Sequence, residues 1–254
     1  MNRSIIGFLL FLAAAFTSHI ARAAVSFSEL FNAPQVSSQL AVSQASPNFN
    51  LAYVNVPGGQ QWQATKPAGV GDGYIEFATR FQVAGDFSVS LVLDGSALGW
   101  GEAGFAFGQY HATSYGDLYV NGMGVESSEY ALGGSGFSGF DTSTASSTLV
   151  VTRQSNSLRY YFNGFNFFLV PDLGQPGTGT DDLLTPATIT LFLRQTKGQT
   201  DSHLAVFKQL KITAAQFIPE PTSVALAGLA ALCAPWYVRG SRLRRVDRCD
   251  SLKA

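Results

Sequence analysis

Between residues 24 and 217 the chain carries two histidines, His111 and His203, and no cysteine. That bounds nucleophilic chemistry, which needs a base beside the nucleophile. His203 follows Asp201-Ser202 and reads as part of a surface turn. No Gly-x-Ser-x-Gly elbow is present, and Gly134-Ser135-Gly136 has the composition of a loop. A Ser–His–Asp arrangement through His111 stays open only because triads are assembled in space rather than along the chain.

Glycoside hydrolysis needs two carboxylates on one face, about 5 to 9 Å apart. Carboxylates two apart on one strand share a face, as the first two of a Glu-x-Asp-x-x-Glu run would, and no such run exists here. Glu76 stands alone on its segment, with Arg80 four residues on as its expected partner. Glu126 and Glu129 are three apart, which puts them on opposite faces of an extended chain. Calcium needs several converging oxygens. Asp181-Asp182, Asp94 and Asp117 are the candidates, but turn aspartates that cap backbone amides are the simpler reading. No histidine pair has zinc spacing, and no cofactor is expected.

Sugar recognition needs rings for the CH faces of a pyranose and polar groups for its hydroxyls. Trp62, Trp100, Tyr110, His111 and Tyr115 are the candidate glycan-binding residues. Trp62 lies in a polar stretch, Gly59-Gln60-Gln61-Trp62-Gln63, read as a loop with no core reason for a large ring. The stretch from Trp100 to Tyr119 adds Glu102, Gln109 and Asp117. The plainer alternative is that Trp100 and the tyrosines are sandwich core and edge.

The elements that must position these groups read as strands and turns. Gly and Pro recur at short intervals, and no long stretch has a helical apolar period. Strands are expected at 27–31, 49–54, 74–81, 86–94, 104–108, 117–125, 148–153, 158–163, 165–170, 187–194 and 203–213. Ile75, Phe77 and Phe81 share one face, as do Phe87, Val89, Leu91 and Leu93. Asn163-Gly164 predicts a type I′ turn. The Ser- and Gly-rich stretch 127–147 reads as a long loop over one face, and 171–186 as a second loop.

Strands without helices over this length predict an all-β, two-sheet antiparallel sandwich. Four stretches go further: Phe27–Phe31, Ala103–Phe107, the Val151–Gly164 hairpin and Phe207–Ile212. Together they resemble the concanavalin A-like (laminin G-like) jelly roll. An immunoglobulin-like sandwich is the alternative, although it usually needs fewer residues.

Charge is sparse, at 13% Asp, Glu, Lys and Arg. Residues 24–217 hold 8 Lys and Arg against 14 Asp and Glu. A mildly acidic body without a basic stripe excludes nucleic acid as an expected partner. The two ends differ from the body. Asn2-Arg3, an apolar core from Ile5 to Phe16 and Ala21-Arg22-Ala23 predict a signal peptide over 1–23, cleaved after Ala23. The folded domain is expected over 24–217.

The C-terminal segment, 218–254, has three parts in order: Pro219-Glu220-Pro221, an uncharged apolar run over 222–238, and a basic end over 239–248 with Arg239, Arg242, Arg244, Arg245 and Arg248. As a helix the run covers about 25 Å, slightly short of a hydrocarbon core of about 30 Å. Trp236 and Tyr237 suit the interface, and the arginines suit the inner side. Cys233 and Cys249 lie on opposite sides of that boundary and are not expected to pair.

This tail resembles the PEP-CTERM sorting signal of Gram-negative bacteria. It departs from the usual pattern in continuing from Val246 to Ala254 and in carrying Pro235-Trp236 within the run. The resemblance implies recognition by an exosortase-type sorting protease, a transient membrane anchor through the C-terminal helix, and delivery to the cell surface or extracellular polysaccharide. The expectation is an exported, non-catalytic surface or matrix protein. A lectin-like glycan-binding module is the alternative, followed by a secreted glycoside hydrolase.

Overall fold

A computed structural model of the chain describes residues 24–44, 49–69, 71–99, 101–109, 113–121, 124–129, 134–138, 146–170, 186–195 and 201–219. The expected signal peptide (1–23) and the expected tail beyond Pro219 lie outside the described residues. Fourteen strands are described: β1 (Val25–Glu29), β2 (Leu40–Gln44), β3 (Asn50–Val56), β4 (Gly59–Lys66), β5 (Gly73–Ala97), β6 (Glu102–Gln109), β7 (Thr113–Asn121), β8 (Gly124–Glu129), β9 (Gly134–Ser138), β10 (Ser147–Gln154), β11 (Ser157–Phe162), β12 (Phe165–Val170), β13 (Ala187–Gln195) and β14 (His203–Pro219).

All pairings are antiparallel, and the ladders make the two layers of the expected sandwich. The 25-residue β5 serves both. Its first half pairs β2 and β13, and the layer continues through β6, β7, β8 and β9. Its second half pairs β10 and most of β14, whose end reaches back to Phe81, with β11, β12, β1, β4 and β3 completing that layer. The sequence reads as two strands here, because Gly85 and Asp86 break the apolar alternation. The backbone instead passes through Gly85 at φ 72 without leaving the ladder. A Cβ on Gly85 would lie 2.8 Å from Ala215 Cβ, so this close approach needs glycine.

The core lies between the layers. From β5 it takes the predicted faces, Ile75, Phe77 and Phe81 with Phe87, Val89, Leu91 and Leu93, and Val83 between them. Phe31, Phe77 and Phe207 pack as a ring cluster with centroids 5.3 to 5.9 Å apart. Phe31 sits there at φ 52, beyond the end of β1. Glu29 stops that strand early by accepting the amides of Phe31 (3.0 Å) and Ser37 (2.9 Å). The Asn163-Gly164 turn has φ 48 and 83, as a type I′ turn requires.

One expected loop is corrected. The 127–147 stretch contains the end of β8 and all of β9, with Ser128 opposite Ser135 and Glu126 opposite Phe137. Small residues there lack the bulky alternation that marks a strand, yet their backbone completes the ladder that β7 offers. β2 and β4 are likewise strands that the reading left as connections.

Candidate functional site

Among the described residues, one buried cluster brings a cation together with several carboxylates. It lies on the face of the β5–β13–β6–β7 layer turned away from the main core. Register explains it. Ser43, Glu76, Phe192, Gly104 and Tyr119 form one cross-strand row, and Arg194 faces Glu102 in the next row. Asp117 faces Ala106 in the row on the other side.

Arg194 Nε bonds Glu102 Oε2, and Arg194 Nη2 donates to Asp117 Oδ2 at 2.9 Å. The three side chains are 9%, 4% and 6% exposed. The guanidinium also lies 4.3 Å from the Phe192 ring centroid and 4.8 Å from that of Tyr119. Flat, weakly hydrated and delocalised, it satisfies two carboxylates and two rings at once, which a lysine would not. Gly104 makes the room. A Cβ there would press on the Leu118 carbonyl oxygen and lie 2.5 Å from Tyr119 Cα.

Glu76 borders this cluster. Its Oε2 accepts from Ser43 Oγ at 3.2 Å. Burial pushes its carboxyl up to about 7, against the Ser43 hydrogen bond and the charge of Arg194. The expected partner, Arg80, is exposed and lies apart from this site. The correction follows from burial: Arg194 on the adjacent strand is held at the right depth, whereas Arg80 reaches into solvent.

Of the ring candidates, Trp62 and Tyr115 lie on described strands, in different layers. Trp62 is on β4, not in a loop; its main chain pairs β3 and β14, and its ring packs partly on the core. Its indole N–H donates to the Ala33 carbonyl at 2.9 Å. It faces Tyr53 on β3 with ring centroids 5.9 Å apart, and both remain half-buried. Asn55 and Gln60, directly opposed and exposed, follow on the same side of this hairpin. Tyr115 belongs to β7 in the other layer, at the register shift between the Phe107–Gly116 and Gly108–Ser114 pairs. Trp100, Tyr110 and His111 lie outside the described residues, as do Asp181 and Asp182. Asp94 caps Ser96, taking its amide at 3.0 Å and its hydroxyl at 2.8 Å, and Asp117 is held by Arg194.

His203 is corrected too. It is the first residue of β14 and 2% exposed, packed on Gly101 rather than in a surface turn.

Sequence reasoning missed Arg194, although a signal was there. β13 is buried at all nine positions, and an arginine in such a strand requires buried counter-charges.

Chemically, the cluster clamps rather than opposes its carboxylates. Glu102 and Asp117 share one guanidinium, whereas a glycosidase needs two carboxyl groups facing across a sugar.

No protein-family model matches the chain, and no curated protein matches it in sequence. Its fold is shared with solved structures. One comes from work on endo-acting O-glycanases that members of the human gut microbiota express to initiate mucin breakdown. It has 10% identity and a TM-score of 0.58, with 76% of this chain and 99% of that chain covered. A second is the Crh5 transglycosylase in complex with NAG, with 13% identity, a TM-score of 0.56, and 77% and 86% covered. A third is the cellulose induced protein Cip1, with 13% identity, a TM-score of 0.50, and 75% and 97% covered. At such identities the likeness establishes the all-β jelly-roll type of fold.

Proposed function

We propose that this is an exported, non-catalytic surface or extracellular-matrix protein that associates with extracellular polysaccharide through its sandwich. In this reading a PEP-CTERM-type tail carries it there, and an exosortase-type protease and the membrane are its transient partners. The observation that carries the binding half is the Tyr53–Trp62 pair, with Asn55 and Gln60 on the same side of the hairpin. Half-buried rings fixed by hydrogen bonds offer a rigid apolar platform at low entropic cost, and the exposed amides offer partners for hydroxyls. The non-catalytic half is supported by Arg194, which engages Glu102 and Asp117 together. The jelly-roll scaffold shared with glycan-acting proteins supports the same class of ligand. A secreted glycoside hydrolase is the second reading, favoured by one feature, the Glu76 carboxyl near neutrality.

The test is retention and turnover on extracellular polysaccharide from the producing cells. Wild type is expected to bind without releasing reducing ends. Asn55→Ala with Gln60→Ala is expected to bind about tenfold more weakly, as losing two net hydrogen bonds implies. Release of sugars that disappears in Glu76→Gln would overturn the non-catalytic reading. Binding unchanged in the double variant would remove the hairpin from it.

A further inference from the structure

One end of the core, between the layers, is closed by polar side chains. Lys66 follows Ala64 on the inward face of β4, and it pairs with His203 across the β4–β14 ladder. Lys66 is 1% exposed and His203 2%. Gln195, 1% exposed, ends β13 one position beyond the Arg194–Glu102 pair, which places it opposite Gly101. The imidazole occupies a slot that glycine makes: a Cβ on Gly101 would lie 2.5 Å from His203 Cγ and 2.8 Å from Cδ2.

The groups around His203 are unevenly charged. Lys66 on β4 is the cation beside it, and Lys66 Nζ donates to the main-chain carbonyl of Asp201 at 2.7 Å rather than to a carboxylate. The Asp201 carboxylate acts on both basic groups, and Asp72, in the connection between β4 and β5, acts on Lys66. From β13 comes a neutral amide, Gln195. From the segment before β6 come the glycine slot and the Leu98 carbonyl, which already accepts the Gly101 amide at 2.8 Å. Among the described residues, neither imidazole nitrogen has a hydrogen-bond partner of ordinary geometry. A proton added to this ring would put a second positive charge beside Lys66 in a sealed place, with no carboxylate hydrogen-bonded to either.

We propose that the Lys66–His203 pair is an acid-sensitive latch on the β4–β14 seam: protonation of His203 loosens this end of the sandwich while the remaining ladders hold. The proposal stands independently of polysaccharide binding. Burial first, and Lys66 second, hold the His203 ring below its ordinary 6.5, against the Leu98 and Ser202 carbonyls and Asp201. The sign follows. Because the fold prefers the neutral ring, this group's contribution is complete above pH 6.5. It is lost as pH falls from there through the lowered folded value. Histidine is suited to the task because its ordinary range is the one a small change of environment crosses.

The test uses the full secreted protein, with amide hydrogen exchange at pH 7.5 and pH 5 corrected for intrinsic rates. Protection in 62–66 and 203–207 is expected to fall by roughly an order of magnitude at pH 5, while protection in β10 and β11 changes little. In Lys66→Met, which keeps the stem and removes the charge, the local loss is expected to shrink. In His203→Gln it is expected to vanish. A direct titration of the His203 ring by nuclear magnetic resonance covers the case in which His203→Gln does not fold. A midpoint at or above 6.5 would overturn the proposal, as would protection that falls equally in all strands or does not fall at all.

Discussion

Arg194 reaches Asp117 diagonally across β6, and the 2.9 Å bond between them passes above Gly104. On its other side the same guanidinium holds Glu102. Three strands are therefore tied by one side chain, since β13, β6 and β7 carry the ion pairs, and β5 brings Glu76 into the neighbouring row. Burying charges in this way costs several kcal/mol per ion, which the attraction repays only with good geometry and complete hydrogen bonding. Replacing the whole set with apolar residues is often tolerated. Breaking it in half is not.

Arg194→Leu should accordingly destabilise the protein by about 3 to 5 kcal/mol, because Glu102 and Asp117 would stay buried without their cation. Adding Glu102→Gln and Asp117→Asn should recover a large part of the loss. Urea denaturation midpoints at pH 7 measure both. A single variant as stable as wild type would show that the two carboxylates reach solvent or other partners.

Gly104→Ala tests the space under that bridge. The added methyl would press on the Leu118 carbonyl and lie 2.5 Å from Tyr119 Cα, both main-chain atoms of the paired strand. Main chain in a ladder cannot rotate away as a side chain can. Overpacking typically costs about 1 to 3 kcal/mol, and the upper end or beyond is expected here. Gly71→Ala is the control, as nothing lies within 4 Å of its Cβ position. Thermal unfolding of the two variants beside wild type should separate them by several degrees.

Glu76 gives the pH dependence its second component. Its carboxyl is raised from 4.5 to about 7 by burial, so the fold prefers the protonated form. Its contribution is complete below pH 4.5 and lost as pH rises through about 7. Between those limits the change is about 3 kcal/mol, at 1.36 kcal/mol for each pH unit. Glu76→Gln should remove this part of the profile and leave the protein more stable than wild type at pH 8. His203 runs the other way, losing stability on acidification, so the measured curve for wild type is flatter than either group alone would make it. Denaturation of both single variants from pH 4.5 to 8 separates them, and an unchanged slope in Glu76→Gln would refute the assignment.

How far the sequence carries depends on what each feature needs. Ile75, Phe77 and Phe81 alternate, and Asn163-Gly164 specifies its turn, because both signals are local. β9 is hidden since Gly134, Ser135 and Gly136 have no side chains to alternate; the strand exists because β8 presents an edge to it. Trp62 looks like a loop residue among glutamines, yet those glutamines lie on a ladder with β3 and β14. The Arg194 cluster is the clearest case. Glu76, Glu102 and Asp117 were each visible along the chain, but only the register of four strands puts them on one face. Arginine within the apolar run Ile189–Leu193 and its continuation was the available hint.

The sorting reading makes the last prediction. β14 runs to Pro219, which pairs with Phe81, and Phe217 stacks on Phe81 at 4.3 Å between centroids. The described part of β14 thus reaches the first proline of the Pro219-Glu220-Pro221 motif. A processing enzyme acting on the motif therefore meets it directly against the domain, and the released body would keep its last strand intact. Intact mass and cell fractionation, wild type beside Glu220→Ala, decide the matter. The expected result is wild type outside the cell without the 222–254 segment, and Glu220→Ala retained at full length in the membrane fraction. Full-length protein in the membrane fraction for both would make the apolar run a plain anchor, and the sandwich a tethered binder rather than a released one.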